Sequence, residues 1–202
     1  MKTFQASIFG AATLAIAFTA QAQDYRAKAI SMMQRDFHAK GIASKDRLNE
    51  DALQTLCNRS KNNPPKDVGE RLQQDQFEAI KYPADGTFLG DWKSGEKIAQ
   101  GGRGMTWSDK AGQANGGSCY NCHQIGPATS SFGDIGNSLF HFGKIRGNTP
   151  ATQKYVYGKI YNAKAFNLCS TMPRLGHSGT LTEKQIKDLV ALLLDPNSPV
   201  NK

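Results

Sequence analysis

Cysteine and histidine are scarce in this chain, with four of each among 202 residues. Only one pair of cysteines has Cys-x-x-Cys spacing and no histidines are paired, so a zinc site would lack half of its ligands. Long apolar runs are scarce too. After residues 6–20 the longest candidate is Leu189–Leu194, far short of the roughly 20 residues that cross a bilayer.

Strand patterns and long basic runs are also missing. No alternating run of apolar and polar residues is long enough to predict a sheet of any size. Lys and Arg outnumber Asp and Glu by 25 to 17, a net charge of +8, but they form no stripe typical of nucleic-acid binding. The sequence therefore predicts a mainly α-helical protein without a nucleic-acid partner, whose basic surface is either simply solvated or docks an acidic partner.

The N-terminus has the pattern of an export signal. Lys2 precedes the apolar residues 6–20, and Ala20-Gln21-Ala22 fits the small-x-small cleavage rule. A retained anchor is the alternative, but the apolar run is short for one and polar residues follow at once. We expect residues 1–22 to be removed and the mature chain to be periplasmic, with no membrane anchor.

The motif Cys119-Tyr120-Asn121-Cys122-His123 has the Cys-x-x-Cys-His spacing of a c-type haem attachment site. Two thiols three positions apart can each form a thioether with one vinyl group of the porphyrin, and the histidine can coordinate iron. Half of a zinc site and a thioredoxin-like redox pair are the alternatives. We predict one covalently bound haem c, held by Cys119 and Cys122, with His123 as an axial ligand.

Iron coordinated by His123 needs a second axial ligand or stays open to a small molecule. We favour Met172, because Pro173 keeps it extended in a loop that can present its sulfur, and His/Met ligation suits electron transfer. Arg174 could hold a haem propionate, face a partner or be an ordinary surface residue. The other candidate ligands are Met105, His141 and His177 and, farther away in the extension, His38, Met32 and Met33.

Two cysteines remain outside the motif. In an oxidising compartment Cys57 and Cys169 are more often bridged than free, so we predict a possible disulfide between them. The alternative is that Cys57 is a small core residue on a helix.

Helical patterns flank the motif on both sides. They predict helices over 25–40, from near residue 45 to 57, over 68–80 and over 92–100, a helix opened by Thr149-Pro150, and a final helix with a capping box of Thr182 and Gln185. This arrangement resembles class I cytochrome c, in which the terminal helices cross and loops wrap the haem. We therefore expect a helical N-terminal extension over residues 23–90 and a cytochrome c domain over 91–202.

The chain resembles the SoxX family, the monohaem subunits of SoxAX cytochromes in thiosulfate oxidation. The similarity covers residues 91–200 and is strongest from Met172 onward. It rests on Gly95-Glu96-Lys97, Gly102-Arg103-Gly104, Gly116-Gly117 before the haem motif, residues 155–162, Met172-Pro173-Arg174-Leu175-Gly176-His177, residues 181–186 and residues 193–200.

The resemblance implies a function and its partners. His123 and Met172 would be the axial pair in a heterodimer with a SoxA-like cytochrome subunit, which carries the active site of the L-cysteine S-thiosulfotransferase. The complex would couple thiosulfate to a cysteine of a SoxYZ-like carrier protein, and this chain would pass the electrons to a soluble cytochrome. The alternatives are a free-standing periplasmic electron carrier and an open-site gas sensor or peroxidase; the second conflicts with the 79 residues that follow His123.

Overall fold

The computed structural model of the protein describes residue 25 and residues 27–126 and 131–202. Within these ranges the regular structure is helical, and no strand forms apart from an isolated bridge between Lys40 and Ala43. The mainly α-helical fold class is thus confirmed. None of the helices in the described part of the chain is long and apolar enough to cross a membrane. The predicted signal peptide, residues 1–22, lies outside the described residues.

The chain divides into two compact units, the first ending at Asn49 and the second running from Glu50 to Lys202. In the first unit, α1 covers residues 27–36 and a 3-10 turn covers Lys45–Leu48. The apolar residues Ile30, Met33 and Phe37 are exposed. Because α1 ends at residue 36, the helix predicted over 25–40 stops four residues earlier than expected.

The second unit contains the remaining helices. They are α2 (Ala52–Arg59), α3 (Lys66–Glu78), α4 (Trp92–Gln100), α5 (Phe142–Arg146), α6 (Pro150–Tyr161) and α7 (Glu183–Leu194). Short 3-10 turns cover Cys119–Asn121, Ala163–Ala165 and Pro199–Asn201.

Local capping explains where several of these helices begin. Thr182 and Gln185 form the predicted capping box of α7, and Thr149 accepts a hydrogen bond from the Thr152 N–H to start α6. The helix predicted from residue 45 to 57 is instead divided, because Asp51 caps α2 and closes a capping box with Gln54. Each cap satisfies backbone N–H groups that a helix start leaves without partners.

The core of the second unit lies between α4, α6 and α7. Helices α4 and α7 cross so closely at Gly95 that a Cβ there would lie 2.1 Å from the backbone oxygen of Asp188. Tyr157 of α6 is fully buried, and its hydroxyl donates to the Lys81 carbonyl. The other fully buried large apolar side chains of this core are Ile125, Ile186, Val190, Leu192, Leu194 and Val200.

Helices α2 and α3 belong to this same unit. Leu53 and Cys57 of α2 are buried against Leu168, and a disulfide joins Cys57 to Cys169. Gln73 of α3 donates to the Ala165 carbonyl at 3.0 Å. The boundary predicted at residue 90 therefore does not coincide with the compact unit, since residues 50–90 pack with the part of the chain that carries the cysteine motif.

Candidate functional site

The cysteine motif forms one tight turn. The backbone N–H groups of Cys122 and His123 both donate to the carbonyl of Cys119, at 3.1 and 2.9 Å. Ser118 enters the turn with a positive φ of 49°. Because residues three and four apart lie on one side of such a turn, both cysteines and the histidine can act on one ligand.

Neither cysteine of the motif forms a disulfide. A redox-active pair needs a thiol with a lowered pKa. Burial instead raises the pKa of Cys119 to about 11, so this thiol stays protonated at neutral pH. The structure thus gives no support to a thioredoxin-like pair. Within the described part of the chain, no three residues among His, Cys, Asp and Glu come together as a metal site.

His123 is oriented by a hydrogen bond from its ring. Its Nδ1 lies 2.7 Å from the carbonyl oxygen of Asn137. Since a carbonyl only accepts, Nδ1 carries the proton and Nε2 keeps its lone pair for a metal. Gly136 lies against the ring, where a Cβ would lie 2.2 Å from Cε1. The segment 136–137 therefore determines both the tautomer and the orientation of the imidazole.

His123 and Met172 line the same cavity, whose volume is about 330 Å³. Its walls come from the loop after the motif, from α5 and α6, and from the end of α7. Most of the lining is apolar, with Leu139, Phe140, Phe142, Val156, Ile160 and Leu193 among its residues. The cavity therefore has one histidine and one methionine in a lining that is otherwise mostly apolar.

The other candidate ligands, as far as the structure describes them, do not line this cavity. His141 stacks on Phe140, and its Nε2 lies 2.8 Å from the Lys202 carbonyl, so its proton is used in a structural hydrogen bond. His177 is exposed, and its backbone N–H donates to the Tyr161 carbonyl. Met105 is exposed on the loop before the motif.

Arg174 does not line the cavity. Its guanidinium contacts Asp51 and donates to Oε1 of Gln76 at 3.3 Å. Two other cationic residues, Arg146 of α5 and Lys159 of α6, line the cavity instead. Burial lowers the pKa of Lys159, so a neighbouring anion would favour its charged form. The Arg174 guanidinium is thus engaged by Asp51 and Gln76 and does not lie on the cavity.

Several of these residues could not be found from the motif alone. Asn137 acts through its backbone carbonyl, which has no sequence signature. Arg146 and Lys159 come from two helices that meet only in the fold. Asp51 did have a local signal, because Asp51 and Gln54 have capping-box spacing.

Comparison with known proteins identifies a relative of this chain. No protein-family model matches it. An uncharacterized lipoprotein of Aquifex aeolicus (strain VF5) is 38% identical over an alignment of 159 residues, and the match covers 76% of this chain and 73% of the relative. This chain belongs to the same family as that lipoprotein. A match over 76% of the chain is longer than residues 91–202, so the similarity to the Aquifex protein includes part of the sequence before residue 91.

Proposed function

We propose that this protein is a haem c electron-transfer subunit of a SoxAX-type cytochrome. The observation that carries the proposal is that His123 and Met172 line one apolar cavity, while Nδ1 of His123 is occupied by Asn137. Cys119 and Cys122 would hold the haem through thioethers, on a turn that contains His123 itself. The haem would supply one-electron exchange between ferric and ferrous iron.

Two protein ligands favour electron transfer over chemistry at an open iron site. If His123 and Met172 both coordinated the iron, no position would remain for oxygen or peroxide, and the methionine ligand would raise the reduction potential. This is the main reason to prefer a relay over a gas sensor or peroxidase. Arg146 and Lys159, the cationic residues that line the cavity, would be available to neutralise the propionates of a bound haem.

The class I cytochrome c-like fold is part of the same proposal. Its support is the close crossing of α4 and α7 at Gly95, with the motif and its loops between them in sequence. The disulfide between Cys57 and Cys169 favours an oxidising compartment. The family's Aquifex member is named a lipoprotein. Both agree with export to the periplasm.

In the proposed complex, a SoxA-like subunit forms the heterodimer and carries out the chemistry. A bond forms between a thiosulfate sulfur and the cysteine sulfur of a SoxYZ-like carrier, with release of one proton and two electrons. This chain carries those electrons away one at a time, to a soluble acceptor cytochrome. The positive net charge of +8 favours docking with acidic partners.

The ligand assignment is tested on the purified protein. We expect a haem c spectrum after alkaline pyridine treatment, and a weak near-infrared band of methionine-coordinated ferric iron. Met172→Ala should abolish that band. Met105→Ala is the control, because Met105 lies outside the cavity, and it should retain the band. A band that survives Met172→Ala would contradict the assignment.

The partnership is tested by affinity purification from thiosulfate-grown cells. We expect a second, larger c-type cytochrome to be recovered with the tagged protein. Recovery of a haem-containing monomer alone at physiological salt would instead support a free-standing periplasmic electron carrier.

A further inference from the structure

The loop that carries Met172 is attached to α2 on both sides of the methionine. Three residues before it, Cys169 forms the disulfide with Cys57. Two residues after it, Arg174 pairs with Asp51, the N-cap of α2. One short helix therefore holds both ends of the segment that presents the sulfur.

The first attachment is buried. Leu53 and Cys57 of α2 pack with Leu168, next to the disulfide. Inside the same turn, the ammonium group of Lys164 donates to the Ser170 carbonyl at 3.1 Å. The Met172 N–H in turn donates to the hydroxyl of Ser170 at 3.2 Å. The backbone just before the methionine is thus held from two directions.

The second attachment is an ion pair with two supports. The Arg174 side chain is only 16% exposed, and its second nitrogen donates to Gln76 of α3. Asp51 also accepts the Gln54 N–H at 2.7 Å as the helix cap. Both groups are therefore positioned before they meet, which reduces the ordering entropy that weakens most surface ion pairs.

We propose that α2 is a clamp on the sixth ligand, and that Asp51 and Arg174 are positioning residues which determine how firmly Met172 stays on the iron. This inference rests on the proposed function, since it requires Met172 to be a ligand. The physical reason is that the sulfur is displaced more easily when its loop can move with it, and a loop held at both ends moves at a higher free-energy cost.

The test uses imidazole as a competing ligand for ferric iron. It is added at fixed pH to the purified protein, and loss of the near-infrared methionine band gives the dissociation constant. Asp51→Asn removes the charge but keeps a good N-cap, so it perturbs the ion pair more than the helix. We expect imidazole to bind Asp51→Asn about tenfold more tightly than wild type, and Asp51→Glu to restore most of the difference.

Asp85→Asn is the matched control. Asp85 pairs with Lys187 of α7 at 3.2 Å, so the variant also removes one ion pair, but not one on the Met172 loop. We expect less than a twofold change in its imidazole affinity. The double variant Cys57→Ala/Cys169→Ala releases the other attachment without touching Asp51, and should also bind imidazole more tightly.

The possible results separate the two proposals. If wild type has the methionine band but neither Asp51→Asn nor the cysteine double variant binds imidazole more tightly than Asp85→Asn, the clamp is refuted and the haem assignment stands. If wild type lacks the band, the axial assignment of Met172 and the clamp are both refuted.

Discussion

Replacing Gly95 with alanine should destabilise the protein, although helix propensity alone predicts that it would stabilise it. In an ordinary helix the change stabilises by about 1 kcal/mol. Here the new Cβ would lie 2.1 Å from the carbonyl oxygen of Asp188 and 2.7 Å from its carbonyl carbon. These are backbone atoms of α7 and cannot rotate away, so α4 and α7 would have to separate by roughly 1 Å to restore normal contact.

That separation would loosen the helix crossing on which the core depends. Ala99, Leu189 and Val190 are buried in the cluster at the α4–α7 interface. Overpacking in such a core costs about 1–3 kcal/mol, and a clash with backbone atoms belongs at the upper end of that range. After subtracting the propensity gain of about 1 kcal/mol, we expect Gly95→Ala to lower the free energy of unfolding by about 2 kcal/mol.

The measurement is urea denaturation of the purified protein followed by circular dichroism, with midpoint and slope compared with those of wild type. Gly69→Ala is the matched control, because Gly69 also occupies the fourth position of its helix, α3. A Cβ at Gly69 would meet its nearest atoms, in Leu168 and Pro64, at 3.5 Å, an ordinary contact. We expect this variant to gain about 0.5–1 kcal/mol. Stability of Gly95→Ala at or above wild type would refute the close crossing.

Three further predictions concern the disulfide, the packing against the His123 ring and the Asp85 ion pair. Replacing Cys57 and Cys169 by alanine should lower the free energy of unfolding by about 4–5 kcal/mol, because the bridge spans a separation of 112 residues; a urea titration measures this. Gly136→Ala should displace the His123 ring and lower the haem content per protein measured by absorbance, whereas Gly126→Ala, whose Cβ would meet no described residue closer than 3.6 Å, should not. Hydrogen bonds from Thr87 and Lys187 lower the pKa of Asp85 from 3.8 to about 2. Its stabilisation is thus present above pH 3.8 and lost as the pH falls through 2, so the melting-temperature gap between wild type and Asp85→Asn should close over that range.

The sequence alone determined the features that depend on neighbouring residues. The bounds of α4, the Thr149-Pro150 start of α6 and the Thr182 and Gln185 box of α7 agree with prediction. A cap joins residues two or three positions apart, so the pattern contains all the atoms involved. The cysteine motif is local in the same way, and its spacing carries the prediction of haem.

Only the tertiary structure decided how the site is held together. Asp51 and Arg174 are 123 residues apart, so no local pattern in the sequence predicts that they form an ion pair. The backbone carbonyl of Asn137 selects the His123 tautomer, although no side chain marks it. The attachment of α2 to the Met172 loop likewise arises from packing between distant segments. Such contacts depend on which surfaces the chain buries together, and local patterns do not contain that information.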